Sequence, residues 1–335
     1  MGQTLLVTGG AGYVGSHTAA ALKAAGHTVI VFDNLQQGHR QAVEAVGAEL
    51  VVGDLADRDA VAAVFRRHKF DAVLHFASNA LVGESMQKPF KYLGDNVTNA
   101  LNLIEAMVAH DVRKIVLSST CAIFGTPARV PIDEDVPVAP SNPYGESKYM
   151  IERLLYWADQ VHGVRSAALR YFNAAGAHPD LPIGEDHAPE SHLIPIAFEA
   201  ALGQRPHVEV FGTNYETPDR TCVRDYIHVC DLADAHVRVL DVLGQRSCQY
   251  NLGTGRGYSV REVLDTVRRV TGIAFTVKEG PRRPGDPAVL VASSARIERE
   301  IGWRPRYTDL DGIVGTAWAW RKRHPRGYAR PVAAE

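Results

Sequence analysis

A short apolar run, Thr4-Leu5-Leu6-Val7-Thr8, leads directly into Gly9-Gly10-Ala11-Gly12-Tyr13-Val14-Gly15, and Ser16 to Ala25 then reads as a helix. No other segment restricts the fold so strongly. A buried strand, a glycine-rich turn and a helix gather unpaired backbone N–H groups and the positive end of a helix dipole at one point. Glycines let such a turn tighten and let its backbone approach a pyrophosphate closely. The spacing of Gly9, Gly12 and Gly15 is G-x-x-G-x-x-G, a variant of the dinucleotide-binding fingerprint. The next apolar run, Thr28-Val29-Ile30-Val31-Phe32, ends in Asp33. A carboxylate at that distance accepts hydrogen bonds from an adenosine ribose 2′-hydroxyl and repels a 2′-phosphate, so NAD is expected rather than NADP. A glycine turn with a capping aspartate is the plain structural alternative, but strand, glycines, helix, strand and aspartate follow one another in the required order.

Strand-like and helix-like segments alternate through the first half. Glu49–Asp54, Asp71–Phe76, Lys114–Ser119 and Ser166–Arg170 read as further strands, with helical patterns such as Asp57–Arg67 and Asn96–His110 between them. This alternation predicts an α/β fold, a doubly wound parallel (Rossmann) sheet. Ligands bind at the carboxyl ends of such strands. Asp54, Phe76-Ala77 and Ser118-Ser119-Thr120 fall at those ends. Beyond Asn173 the pattern gives way to proline, glycine and short strands, notably at His178–Pro195 and Gly280–Pro287. Residues 1–173 are expected to bind the dinucleotide. Residues 174–335 are expected to form a smaller mixed α/β substrate domain, with segments returning to the first.

The composition suits a globular enzyme: 46% hydrophobic and 22% charged residues among 335, with a net charge of −2. No basic surface for nucleic acid is indicated, and no apolar run approaches the roughly 20 residues of a membrane span. The first apolar run is already a strand, so no signal peptide is expected. Cys121, Cys222, Cys230 and Cys248 show no C-x-x-C spacing and read as free thiols in a cytoplasmic protein.

Ser141-Asn142-Pro143-Tyr144-Gly145-Glu146-Ser147-Lys148 carries the chemistry. Proline suits the first turn of a helix, and a helix from there sets Tyr144 and Lys148 one turn apart on one face. An ammonium beside a phenol favours the phenolate, making tyrosine a usable base. Alone, Y-x-x-x-K is common on helix surfaces as a solvated pair; beside an NAD loop it acquires a task.

These segments resemble the extended short-chain dehydrogenase/reductases and, within them, the UDP-glucose (UDP-galactose) 4-epimerases. The likeness covers nearly the whole chain. It runs through Thr8–His17, Phe32–Leu35, Val82–Ser85 ahead of Lys88-Pro89, Ser118–Cys121, Asn142–Gly145, Arg170–Asn173, Val223–Val229 and Arg282–Asp286. The Arg-Asp-Tyr-Ile-His-Val and Arg-Arg-x-Gly-Asp segments narrow it to nucleotide-sugar 4-epimerases. The resemblance implies that Tyr144 is the base, that Lys148 lowers its pKa and binds the nicotinamide ribose, and that Thr120 hydrogen-bonds near the sugar O4. It implies cofactor contacts from Gly9, Gly12, Tyr13, Val14, Gly15, Asp33, Asn34, Asp54, Leu55, Phe76, Ala77, Ser118 and Tyr171. It implies substrate contacts from Asn173, His192, Leu193, Phe211, Arg224, Tyr226, Arg283 and Asp286. Arg224 and Arg283 would meet the diphosphate, the alternative being ion pairs with Asp225 or Asp286. Phe211 would meet the uracil ring, or be an ordinary strand aromatic. The expected reaction is C4 epimerisation of a UDP-sugar through a 4-keto intermediate, with NAD kept throughout. The expected assembly is a homodimer through Asn96–His110 and the Tyr144 helix.

Departures from the family pattern are Ala80 in place of a lysine, Asp95 in place of an asparagine, and Phe124 in place of a tyrosine that is not the base. Leu290 stands where a bulky tyrosine in some relatives limits the sugar 2-substituent, so an N-acetyl group is expected to fit. A 4,6-dehydratase would carry Asp-Glu after the threonine; Cys121-Ala122 cannot move protons. UDP-pentose and UDP-uronic acid epimerases share the chemistry and stay open. A non-catalytic NAD-binding regulator would usually lack the tyrosine or lysine. The polar residues His178, Asp180, Glu185, Asp186, His187, Glu190 and His192 lie in a Pro/Gly-rich loop without helical H-x-x-x-H spacing, and no metal is expected there. Arg321-Lys322-Arg323-His324 reads as a solvated helix end.

Overall fold

Seven apolar segments pair in parallel, and the residues along each point alternately to two helix layers. The computed structural model describes residues 2–283 and 286–328; Pro284 and Gly285 of the Arg282–Asp286 motif, and residues 329–335, lie outside the described residues. The strands are β1 (Thr4–Thr8), β2 (Thr28–Asp33), β3 (Glu49–Val52), β4 (Ala72–His75), β5 (Lys114–Thr120), β6 (Arg165–Tyr171), β7 (Asn173–Ala175), β8 (Val208–Phe211), β9 (Val223–His228), β10 (Cys248–Leu252), β11 (Gly257–Ser259), β12 (Val277–Gly280) and β13 (Val289–Leu290). The helices are α1 (Tyr13–Ala24), α2 (Arg40–Val46), α3 (Arg58–Arg67), α4 (Val82–Ser85), α5 (Pro89–Lys91), α6 (Val97–Ala109), α7 (Pro143–His162), α8 (Leu193–Ala201), α9 (Val229–Val242), α10 (Val260–Thr271), α11 (Ala295–Ile301) and α12 (Leu310–Arg323).

The main sheet has the order β10-β6-β5-β4-β1-β2-β3, all parallel. This is the expected doubly wound α/β sheet, with a seventh strand, β10, contributed from beyond residue 173. Leu5, Val7, Val29 and Val31 face one core with Leu22 of α1 and Leu232 and Val239 of α9. Leu6, Ile30 and Phe32 face the other with Phe65 of α3, Leu103 of α6 and Leu155 of α7. Burial on both sides explains why these strands are continuously apolar rather than alternating. A second core gathers α8, α10 and α12 around Tyr226 and Val210, beside the small sheet β11-β9-β13, to which β7 adds on β9.

Helix α7 is positioned from both ends. Its N-cap Asn142 accepts the Gly145 N–H at 2.8 Å, Pro143 occupies its first turn, and Gly163 closes it in a left-handed conformation. Gly145 packs so tightly that a Cβ there would lie 2.5 Å from the Ala122 carbonyl oxygen. In mid-helix, Glu152 accepts two hydrogen bonds from Arg170 of β6, at 3.0 and 2.6 Å, and one from Ser119 of β5 at 2.6 Å. Arg170 also donates to Gln249 of β10. Both side chains of the ion pair are only 3% exposed.

At the other end of the chain, Arg321 departs from the solvated run read in the sequence. It is buried and faces Glu199 and Gln204. Helix periodicity turns it inward while Lys322 and Arg323 stay exposed.

Removing one member of a buried pair strands the other charge, at a cost of about 3–5 kcal/mol. Arg170→Leu should therefore lower the urea-unfolding free energy by about that much, and Arg170→Leu with Glu152→Leu by clearly less. Equal losses in the single and double variants would contradict this role.

Candidate active site

The carboxyl ends of β1, β4, β5 and β6 open toward the glycine loop on one side and the first turn of α7 on the other. Thr120, at the end of β5, caps the following Cys121–Phe124 turn by accepting the Ala122 N–H at 3.1 Å. Its hydroxyl faces the Tyr144 phenol and favours the phenolate. Ser118, two residues earlier, bonds the Tyr171 hydroxyl through its side chain and accepts from Lys148 Nζ through its carbonyl at 2.9 Å. Tyr144, Lys148, Thr120, Ser118 and Tyr171 are thus brought together. Behind them, Asn96 donates to Ser147 Oγ at 3.0 Å and clamps the backbone of Asn79. A π-helical turn at Tyr92–Asn96 aims that amide inward. Asp95, one of the departures, accepts from the Asn79 side chain at 3.1 Å.

Burial dominates the electrostatics of this group. Burial raises the Tyr144 phenol above its ordinary value; Tyr171, Cys121 and Tyr92 push the same way, and Thr120 opposes them. Lys148 lies one turn further along the same helix. Fully enclosed, its ammonium takes the nearest strand carbonyl, and burial brings its pKa down to about 7 despite Glu152. Burial also raises Tyr171 to about 12.

On the dinucleotide side, Asp33 accepts the Ala11 and Leu35 N–H groups, one on each carboxylate oxygen, both at 2.9 Å. Asn34 donates to Asp54 at 2.8 Å, and Leu55 is buried just beyond. Tyr13 donates to the Gly176 carbonyl at 2.6 Å, tying the glycine loop to the second half. Phe76 lies 4.9 Å from the His236 ring, and Ala77 follows it against the glycine loop.

On the other side, Asn173 donates to the Asp225 carbonyl across the β7–β9 pairing. Arg224 pairs with Asp286 at 2.5 Å in a largely buried position. Asp225 is fully buried and occupied by Thr254, Gly255 and Ala292, so it is not the partner of Arg224. Arg283 lies over the Phe211 ring at 4.0 Å. Arg224 and Tyr144 both interact electrostatically with Cys121, which links this group to the first. Tyr226 is buried on β9, and Leu290 sits on β13 beside Arg224.

His192 and Leu193, at the start of α8, are further connected. The His192 imidazole pairs with Glu185, and His187 and Glu190 gather around the same point. Burial opposes charge on His187, but the two glutamates outweigh it and raise its pKa to about 10. The sequence groups these four with His178, Asp180 and Asp186 as one polar cluster; the fold brings the ligand-type atoms of Glu185, His187, Glu190 and His192 within 4.8 Å of one another. His178 stays apart, accepting from the Asp180 and Leu181 backbone, while Asp186 accepts the Tyr328 N–H.

A family model described as the NAD dependent epimerase/dehydratase family matches residues 5–253. The UDP-glucose 4-epimerase of Halalkalibacterium halodurans is 49% identical over 97% of each chain. A crystal structure of a UDP-glucose 4-epimerase superposes with a TM-score of 0.94 at 46% identity, covering 98% of this chain and all of the other. That of the Bifidobacterium longum UDP-glucose 4-epimerase in complex with NAD+ and UDP gives 0.93 at 38% identity, covering 97% and 100%. The chain belongs to the NAD dependent epimerase/dehydratase family.

The cofactor in the family's description fits the glycine loop. Helix α1 starts at Gly12 with no side-chain cap and no acidic residue in its first turn, which leaves its N-terminal dipole for an anion. A Cβ on Gly12 would have only the Gly9 carbonyl oxygen nearby, at 3.3 Å, and would fill the open approach. At Gly15 a Cβ would strike that oxygen at 2.2 Å. Each oxygen of Asp33 retains a lone pair for a ribose hydroxyl. Among the described residues, no helix is long and apolar enough to cross a membrane.

The depressed pKa of Lys148 has a measurable consequence. From about pH 7 to its ordinary value of 10.5, the unfolded chain carries a proton there that the folded chain has shed. Stability rises with pH wherever the unfolded state binds more protons. In NAD-free protein, the stability of wild type relative to Lys148→Met should climb across that window in urea titrations. A difference independent of pH would refute the assignment.

Proposed function

We propose that this chain interconverts UDP-galactose and UDP-glucose by reversible epimerisation at C4. The observation that carries the reading is the grouping of Thr120, Tyr144 and Lys148 between an NAD-type glycine loop and the Arg224–Asp286 and Arg283–Phe211 pairs. Relatives named for this activity match nearly the whole chain, which adds support. NAD, when bound, supplies the acceptor and donor for the C4 hydride. Gly9, Gly12, Tyr13, Val14, Gly15, Asp33, Asn34, Asp54, Leu55, Phe76, Ala77, Ser118 and Tyr171 would hold it. Tyr144 takes the proton of the 4-hydroxyl as C4 becomes a ketone, and returns it when the hydride comes back to the opposite face. Thr120 orients the phenol and the sugar O4. Lys148 sets its ammonium near the reacting centre, where it would favour the phenolate and meet the nicotinamide ribose. Asn173, His192, Leu193, Phe211, Arg224, Tyr226, Arg283 and Asp286 would bind the UDP portion, with arginine forks suited to phosphate oxygens. Residues 1–173 would serve the cofactor and 174–335 mainly the substrate. The four free thiols suit a cytoplasmic setting.

The same reading includes a homodimer through α6 and α7. Met150, Leu154, Trp157 and Val161 form one stripe along α7. Trp157 is 57% and Val161 67% exposed, and Leu101 of α6 is 40% exposed. An apolar stripe of this kind marks an interaction surface.

Incubation with UDP-galactose without added NAD should yield UDP-glucose. Tyr144→Phe should stay folded and NAD-bound while losing about 10²–10⁴-fold in turnover; unchanged turnover would sink the assignment. In the same assay, conversion of UDP-N-acetylglucosamine reports on the space at Leu290, and none would remove that extension. By light scattering, wild type should be a dimer and Trp157→Glu a monomer; a monomeric wild type at micromolar concentration would rule the interface out.

A further inference from the structure

The loop leading into α8 contains a cluster for which epimerisation provides no use beyond His192. One ligand-type atom from each of Glu185, His187, Glu190 and His192 lies within 4.8 Å of the other three. His187 Nδ1 stands 3.5 Å from both Glu185 Oε1 and Glu190 Oε2, beyond good hydrogen-bond distance. It is buried and has no hydrogen-bond partner among the described residues. His192 Nδ1 meets the same Glu185 oxygen, and the two imidazoles sit edge to face with centroids 5.3 Å apart. The two glutamate side chains are 8% and 4% exposed, and their ion-pair partners among the described residues are these histidines alone. Two buried carboxylates and two imidazoles, with no lysine or arginine among their ion-pair partners, can share one divalent ion in place of the imidazole protons.

The surroundings hold these groups in place. The second oxygen of Glu190 accepts the Ser191 and His192 N–H groups at 2.8 and 2.9 Å, which aims the first at His187. Asp186 is fixed by the Tyr328 N–H and Gly184 by the Tyr328 hydroxyl, at 2.9 and 3.0 Å. His39 and Gln37 reach across from the dinucleotide side to the carbonyls of Asp186 and Ala188. The Tyr13 ring stands edge-on to His187. Outer contacts of this kind orient metal ligands.

Two imidazole nitrogens and two carboxylate oxygens form a donor set for a borderline divalent ion, bound at about 2.0–2.2 Å. Tetrahedral ligands at those lengths lie about 3.3 Å apart, so the widest separation in the cluster needs to contract by about 1.5 Å. Imidazole donors favour first-row transition metals over magnesium or calcium. We propose that Glu185, His187, Glu190 and His192 bind one divalent transition-metal ion, with zinc the best fit, which pins this loop between the glycine loop and α8.

Tag-free full-length protein, stripped with EDTA and titrated with Zn2+ by calorimetry, should take up one ion per chain with micromolar or tighter affinity. Co2+ in its place should give the intense visible bands of four-coordinate cobalt. The thermal midpoint should rise with Zn2+ as mass action requires. His187→Ala, and the gentler Glu190→Gln, should each weaken binding about tenfold or more with the circular dichroism spectrum retained. The proposal is overturned if no one-to-one binding occurs at micromolar Zn2+. It is equally overturned if both variants bind as wild type does, which would place the ion elsewhere.

Discussion

The buried contact of Glu152 with Arg170 and Ser119 is the constraint on which the candidate site rests. It joins α7 to two neighbouring strands at once, and through Gln249 to a third. Helix α7 is thereby held in both rotation and height over the sheet. One turn before Glu152, Lys148 reaches the Ser118 carbonyl; two turns before, Tyr144 faces Thr120. A bidentate pair with its lone pairs filled overcomes desolvation where a looser pair would not. The geometry of the phenol therefore depends on a salt bridge that takes no part in the chemistry.

Burial does two opposed things here. It aligns Tyr144 and Lys148, and it penalises the charge that each would need. The phenol is pushed up and the ammonium down to about 7, so burial drives both toward their uncharged forms. Thr120 favours the phenolate. The energetic problem for a tyrosine base at this site is thus desolvation, and hydrogen bonding to the anion is the force already in place against it.

The two halves of the chain are joined through the site. Helix α9 and β10 return to complete the first core, and Tyr13 bonds Gly176 across the seam. The loop carrying Glu185 and His187 lies along the same seam, held by His39 and Gln37 from one side and Tyr328 from the other. Residues that bind separate parts of a substrate and cofactor are in this way supported by one continuous set of contacts.

Much of this was legible in the chain itself. The six strands from Thr4 to Tyr171, the glycine turn and the capped start of α7 follow from the order of adjacent residues, because apolar periodicity, Asn-Pro capping and glycine spacing act over a few positions. The side chains grouped at the strand ends were legible for the same reason, since a parallel sheet puts its carboxyl ends together. The seventh strand was not, because Cys248–Leu252 becomes a strand only against β6, with α9 docked beside α1. Nor were the choice of Ser118 by Lys148, the choice of Asp286 over Asp225 by Arg224, the inward turn of Arg321 or which four of the seven polar residues from His178 to His192 converge. Each depends on which groups share a dry environment, and burial and through-space distance are properties of the folded chain that residue order does not carry.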